Sequence, residues 1–317
     1  MRLVVSWSNH YDGEMAVIYM DHHATTPVDP RVLAVMLPYF TEKFGNASSR
    51  MHSYGKDAAL AVDRGRAQVA ALIGADPSEI VFTSGATESD NLAIQGVVEF
   101  HRAKGDHVVT VATEHKAVLD CCRALEAAGR ARLTVLPVKR DGLLDLDVLR
   151  AALTDRTVLV SIMAANNEIG VLQPVAEIGR ICRERGVYFH SDATQACGKI
   201  PVDVDAWNVD LLSLSAHKMY GPKGVGALYV RKRDPRVRLS PLIHGGGHEH
   251  GLRSGTLPVP LIVGLGEACE IGGKELPAES RRLTDLRNLL ETRIFTRLEH
   301  VHVNGSMTER LPGNLNL

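Results

Sequence analysis

The chain has 317 residues with 36 basic and 37 acidic side chains, a formal net charge of −1, so no surplus of either sign calls for a polyanionic partner. A hydrophobic fraction of 45% excludes a disordered chain, and an aromatic fraction of 5% argues against a base-stacking nucleic-acid surface. Nucleic acid is therefore not an expected partner, and neither is a membrane, since even the apolar run Leu257 to Gly266 is short and carries two prolines. The N-terminus, with Asp12 and Glu14, lacks the basic and apolar regions of a secretory signal. Five cysteines, an odd number, fit free thiols in a reducing cytoplasm better than a disulfide framework.

In chain order, a helical pattern over Ser53–Ile73 precedes a block in which short β-branched runs alternate with helical ones. Strands are predicted at Ile80–Thr83, His107–Val111, Leu133–Pro137, Thr157–Ile162, Val187–Ser191, Asp210–Leu214 and Ala227–Val230. Helices are predicted at Glu88–Ala103, Ala117–Ala128 and Val175–Arg185. Successive βα units make an α/β fold with a mostly parallel seven-stranded sheet flanked by helices. After Pro258 only helical patterns remain, Leu261–Ile271 and Ala278–Leu298, followed by an apolar stretch at Val301–Val303. This change marks a second, smaller α+β domain: residues 29–260 form the large domain, and residues 1–28 with 261–317 the small one.

Ligands of such sheets bind beyond the carboxyl ends of the strands. Three features meet there. The run Thr83-Ser84-Gly85-Ala86-Thr87-Glu88-Ser89 passes from a strand into a helix, and the backbone N–H groups of a helix start, with the Thr87 hydroxyl, suit an anion. Ser/Thr/Gly before a helix more often forms only a cap, and neither a Walker lysine nor G-x-G-x-x-G accompanies it. Asp192 ends the strand Val187–Ser191, where a carboxylate can hold a ring nitrogen in its protonated state; taken alone it would be read as capping the next turn. Lys218, in Ser215-Ala216-His217-Lys218, follows the next strand, and a desolvated lysine there can form a Schiff base. A phosphate site, a pyridine partner and an aldehyde-binding amine are together the requirements of pyridoxal 5'-phosphate.

The segments Asp21-His22-His23-Ala24-Thr25-Thr26-Pro27, Phe44-Gly45-Asn46, Thr83 to Asn91, Thr113-Glu114-His115-Lys116, Asn166-Asn167-Glu168-Ile169-Gly170, Asp192-Ala193-Thr194-Gln195, Ser215-Ala216-His217-Lys218 and Arg253-Ser254-Gly255-Thr256 resemble the cysteine desulfurases of the class V aminotransferase family, and most closely the housekeeping type that serves iron–sulfur assembly. The resemblance implies a pyridoxal-phosphate enzyme that takes sulfur from L-cysteine, leaving L-alanine and an enzyme persulfide. Lys218 would carry the Schiff base and move the Cα proton, and Asp192 would keep the pyridine nitrogen protonated. His115 would lie over the ring and assist proton transfer. Ala86, Thr87, Ser215 and His217 would hold the phosphate, and Asn167 and Gln195 would contact the phenolic-oxygen side of the cofactor. Thr256 would reach the phosphate of a neighbouring subunit, which implies a homodimer; Asn46, with Asn167, would line the substrate pocket. Sulfur acceptors such as an iron–sulfur scaffold protein follow by the same analogy.

Blander readings stand beside these. His115 precedes a helix and can simply cap it. The cluster His244-Gly-Gly-Gly-His248-Glu249-His250 has no regular metal-ligand spacing, so no metal is expected and a glycine loop near the dimer interface is. Cys121, Cys122, Cys182 and Cys269 read as small core residues, and Cys197, five residues after Asp192, as a structural position. The family's nucleophilic cysteine and its substrate-carboxylate arginine are expected beyond Leu317. Two further readings follow: a homologue with side activities such as transamination or β-elimination, and a non-catalytic dimeric scaffold.

Overall fold

The computed structural model describes residues 18–317; the stretch that carries Asp12 and Glu14, and the start of the segment assigned to the small domain, lie outside the described residues. In chain order the elements are α1 (Pro30–Met36), α2 (Pro38–Thr41), α3 (Ser53–Ile73), β1 (Ile80–Thr83), α4 (Ala86–Phe100), β2 (His107–Val111), α5 (Lys116–Ala127), β3 (Arg132–Leu136), α6 (Leu146–Ala152), β4 (Thr157–Ser161), α7 (Val175–Glu184), β5 (Tyr188–Asp192), β6 (Leu211–Ser215), β7 (Gly226–Val230) and α8 (Val259–Phe295). The expected seven strands form one sheet in the order β1-β7-β6-β5-β4-β2-β3. Only β7 runs against its neighbours, β1 and β6, so the other six strands share one direction and end at one edge.

Most of the strands are buried along their whole length, as expected for a sheet covered on both faces by helices. One apolar layer joins α4 and α5 to the sheet, and the other joins α3, α7 and the start of α8. In α3 the buried positions Gly55, Ala58, Val62, Gly65, Val69 and Ile73 recur at helical spacing. Gly74 ends the helix in the left-handed conformation, φ 69°. Glycine is required where α3 meets α8: a Cβ on Gly65 would stand 2.9 Å from the Ile262 carbonyl oxygen, and one on Gly266 would stand 2.7 Å from the Gly65 Cα. The two backbones therefore touch.

The two C-terminal helices expected at Leu261–Ile271 and Ala278–Leu298 are one continuous helix of 37 residues, with Pro277 inside it. Gly272-Gly273 and Pro277 lie between the two expected spans, and a proline inside a helix removes a ladder hydrogen bond and crowds the preceding turn, a signal against continuity. Packing outweighs that signal at both ends. The first half is buried against α3 and α1, and the second half carries the chain's last segment, with Gly313 against Leu283 and Arg287 Nη1 donating to the Leu311 carbonyl at 3.5 Å. That segment also returns to the loop after β4. Leu311 N donates to the Gly170 carbonyl at 2.8 Å, and Asn314 Nδ2 to the Glu168 carbonyl at 3.2 Å. Gly170 has φ 70°, and a Cβ there would collide with the Asn314 side chain. Among the described residues, no helix is long and apolar enough to cross a membrane.

Candidate active site

The helix α4 begins two residues earlier than its sequence pattern suggests, so Ala86 and Thr87 lie in its first turn. Its cap residue, Gly85, has φ 145°, a conformation closed to most side chains, and no side chain caps the first N–H groups. These donors, with the positive end of the helix dipole, face the common edge of the parallel strands. A Cβ on Gly85 would meet Ser215 Oγ at 3.8 Å, so the hydroxyl after β6 stands beside the same helix start. Gly226 of β7 closes the cradle from below: a Cβ there would lie 2.5 Å from the Leu214 carbonyl oxygen and 2.7 Å from the Gly85 Cα.

Lys218 sits in a short 3-10 turn, Ala216–Lys218, directly after β6. Its Nζ donates to the backbone carbonyls of His23 at 2.6 Å and Ala24 at 2.8 Å. The Asp21–Thr26 segment is itself fastened over this turn. Thr26 N and Oγ1 donate to the His217 carbonyl at 3.0 Å each, Thr25 Oγ1 pairs with His217 Nδ1 at 3.1 Å, and Tyr220 N donates to Thr26 Oγ1 at 2.8 Å. Burial pushes the Lys218 ammonium below its usual range, against the pull of Asp192 and Asp21. Burial also lowers His217, to about 4, helped by Lys218, Lys223 and Lys199, so its imidazole is neutral and can offer one N–H.

Asp192 ends β5 and is buried, with Oδ1 accepting from Thr194 N at 2.9 Å. Behind it lies a sealed polar layer that sequence reasoning missed. His190, two residues earlier on the same strand, is bracketed by Ser161 Oγ at 2.8 Å and Ser213 Oγ at 3.0 Å, and its Nε2 is 3.6 Å from Asp90 Oδ1. Burial lowers His190 to about 3, so it is neutral. Asp90 is fully buried, and both its carboxylate oxygens lack a hydrogen-bond partner among the described residues. Burial, and then the nearby Asp192, push Asp90 and Glu114 well above the usual carboxylate range. The shift disfavours negative charge in this sealed layer. Polar residues at 90, 114 and 190 carry no pattern that distinguishes them from solvated positions, and only the packing shows them enclosed.

The other expected residues divide. His115 is the cap of α5, with Nδ1 accepting from Ala117 N at 3.1 Å, so the capping role is real. It is exposed, and with Thr87 it lines one open recess of about 530 Å³, which puts His115 and the first turn of α4 on one surface. Asn167 is half-buried beside Asn166; the latter is the structural one, donating to the Thr113 carbonyl at 2.8 Å and accepting from Glu168 N and Ile169 N at 2.8 Å each. Gln195 spends both ends of its amide inside the protein, Nε2 on the His23 carbonyl at 2.8 Å and Oε1 on Lys199 Nζ at 2.5 Å. Asn46 is exposed, with Oδ1 accepting from Ser48 N at 2.9 Å. Thr256 is exposed on the glycine loop, which two ion pairs anchor: Glu249 to Arg66 of α3 at 2.7 Å, and Arg253 to Glu88 of α4 at 2.8 Å.

All five cysteines are free and buried. Burial raises the Cys197 thiol to about 12 and Cys121 to about 12, and shifts the other three upward as well. None of them offers a thiolate.

A helix start open to an anion, a strand-end carboxylate and a desolvated lysine within one strand edge suit pyridoxal phosphate, and the buried polar atoms Thr113 Oγ1, Thr194 Oγ1 and His23 Nε2, which lack partners among the described residues, fit a polar ligand of that kind. The chain belongs to the aminotransferase class-V family, whose profile matches residues 18–317. It is 58% identical over 300 residues to the cysteine desulfurase IscS of Rickettsia rickettsii (strain Iowa), a match that spans 95% of this chain and 73% of that protein. The IscS of Rickettsia bellii is 57% identical over the same span. Among solved structures, a NifS-like protein superposes with a TM-score of 0.89 at 42% identity, over 94% of this chain and 80% of the other. DndA of Streptomyces lividans gives 0.82 at 40%, over 93% and 82%. SspA in complex with cysteine gives 0.76 at 46%, over 80% and 72%.

Proposed function

We infer that the chain is a pyridoxal-phosphate-dependent cysteine desulfurase that acts on L-cysteine and yields L-alanine and a persulfide sulfur. The observation that carries this reading is the convergence of Lys218, Asp192 and the uncapped start of α4 at one edge of the sheet. When bound, the cofactor supplies an electron sink for charge developing at the substrate Cα. Lys218 Nζ is the amine that binds the aldehyde and afterwards holds and returns the Cα proton, a task that its depressed proton affinity favours. Asp192, at the carboxyl end of β5, would keep the proton on the ring nitrogen. The N–H groups of Ala86 and Thr87, with Ser215 and His217, hold the phosphate. His115 would lie over the ring and assist proton transfer, while Asn167 and Asn46 would face the substrate.

Transfer of the sulfur requires a thiolate, and the five buried thiols do not supply one. A homodimer in which Thr256 serves the neighbouring site belongs to the same proposal, and its exposed position on an anchored loop supports that role. An iron–sulfur scaffold protein as acceptor, and the cytoplasm as compartment, complete it; free thiols suit the latter. The test is direct. Purified protein should be yellow, and Lys218→Ala should abolish Schiff-base formation with added pyridoxal phosphate; a colourless protein that cannot be reconstituted refutes the reading.

A further inference from the structure

We propose that Lys199 is a positioning residue for Lys218: the two amines form one coupled pair, tied through Gln195 and the His23 carbonyl, in which the charge on each sets the charge on the other. This inference rests on the reading that Lys218 is the cofactor-binding amine. The tie is made of three hydrogen bonds. Lys199 Nζ donates to Gln195 Oε1 at 2.5 Å, Gln195 Nε2 donates to the His23 carbonyl at 2.8 Å, and Lys218 Nζ donates to that same carbonyl at 2.6 Å. The helical turn after Asp192, closed by Cys197 N on the Ala193 carbonyl and Lys199 N on the Ala196 carbonyl, places Gln195 and Lys199 four residues apart on one side.

Both amines are partly buried, and among the described residues neither has a carboxylate within ion-pair distance. The groups around them are Asp192 from β5, Asp21, His22 and His23 from the segment above, His217 from the 3-10 turn, and Lys223 and Cys197. The three histidines add no compensating negative charge, and His23 is lowered to about 3, first by burial and then by Lys199 and Lys218. Two ammonium groups in so dry a space repel, and the pair sheds one proton near neutrality; burial and Lys218 bring Lys199 down to about 7. That proton leaves Lys199 first, beside a charged Lys218, and neutralising one amine eases the repulsion on the other. Gln195, gripped by Lys199, fixes the carbonyl that orients Lys218.

Coupling of this kind is reciprocal, and that makes it testable without turnover. The probe is trace acylation of the full chain, freed of cofactor, across a pH series, with the label on Lys199 and Lys218 read by peptide mass spectrometry. In Lys218→Ala the Lys199 midpoint should rise from about 7 by one unit or more, roughly a tenfold loss of label at a fixed pH on the rising limb. Lys199→Arg keeps a permanent charge and Lys199→Met removes it, so the Lys218 midpoint should lie at least a unit lower in the Arg variant than in the Met variant. The pH dependence of the rate of yellow-colour formation with pyridoxal phosphate should follow the same order. A purely structural Lys199 would move neither midpoint in opposite senses. An unchanged Lys199 midpoint in Lys218→Ala, or equal Lys218 profiles in the Arg and Met variants, overturns the proposal even if the protein is yellow; colour that survives Lys218→Ala overturns the functional reading instead.

Discussion

Glu249→Ala removes one half of the ion pair that anchors the glycine loop to the body of the molecule. The side chains of Arg66 and Glu249 are 13% and 2% exposed, so this is a buried pair, and it is bidentate: Arg66 Nη2 to Glu249 Oε1 at 2.7 Å and Nη1 to Oε2 at 2.8 Å. Glu249 Oε2 also accepts from Phe82 N at 2.7 Å, and Arg66 Nη1 donates to the Ile80 carbonyl at 2.6 Å, so the pair is stitched into β1. Truncating Glu249 leaves a guanidinium without its counter-charge and a backbone N–H without an acceptor. Breaking one side of a buried pair costs about 3–5 kcal/mol, most of it the charge left uncompensated. At about 2–4 °C per kcal/mol for a large domain, the Tm should fall by roughly 6 °C or more, with a matching fall in the guanidinium midpoint. The double variant Arg66→Met/Glu249→Leu keeps the volume and removes both charges, and should recover most of the loss. Limited proteolysis should then cut the single variant, and not the double one, between Ile243 and Leu257. A loss below about 1 kcal/mol in Glu249→Ala, or a double variant no better than the single, would refute the claim that an unpaired buried charge is the cost.

Three further outcomes follow from the site. His190 is held neutral down to about pH 3, whereas an unfolded histidine takes its proton near 6.5; its contribution to stability is therefore present above pH 6.5 and lost as the pH falls toward about 3. His190→Asn should flatten that acid limb by about 1.4 kcal/mol per pH unit in denaturant titrations, and an identical slope in the variant would show that His190 is not the titrating group. Gly226→Ala should weaken cofactor binding through the Gly85 backbone and cost about 1–3 kcal/mol by overpacking, read as a weaker yellow absorbance and a lower midpoint. The five buried thiols should resist a water-soluble disulfide reagent until the protein is unfolded; rapid native-state labelling of Cys197 would contradict its burial.

Strand periodicity and the βα alternation were enough to place all seven strands within a residue or so, because buried strands need β-branched runs whatever their neighbours. The positions of Lys218, Asp192 and the start of α4 at one sheet edge were equally legible, since each lies at or just after a strand's carboxyl end. The join of two expected helices into α8 was not. Gly272-Gly273 and Pro277 are local breakers, and only the burial of the first half on α3 and the chain's last segment against Leu283 and Arg287 decide otherwise.

The amino-acid sequence by itself determined the fold class and placed the three groups proposed to hold the cofactor at one sheet edge, since local periodicity and residue chemistry specify them. Tertiary structure alone decided what surrounds those groups: Asp90, Glu114 and His190 sealed behind Asp192, with burial pushing both carboxyls upward and the imidazole down to about 3, and Lys199 brought through Gln195 and the His23 carbonyl to the neighbourhood of Lys218. The physical reason is that a proton affinity depends on burial and on charges brought close by packing. Neither is a property of neighbours in the chain, and both appear only when distant strands, turns and loops meet.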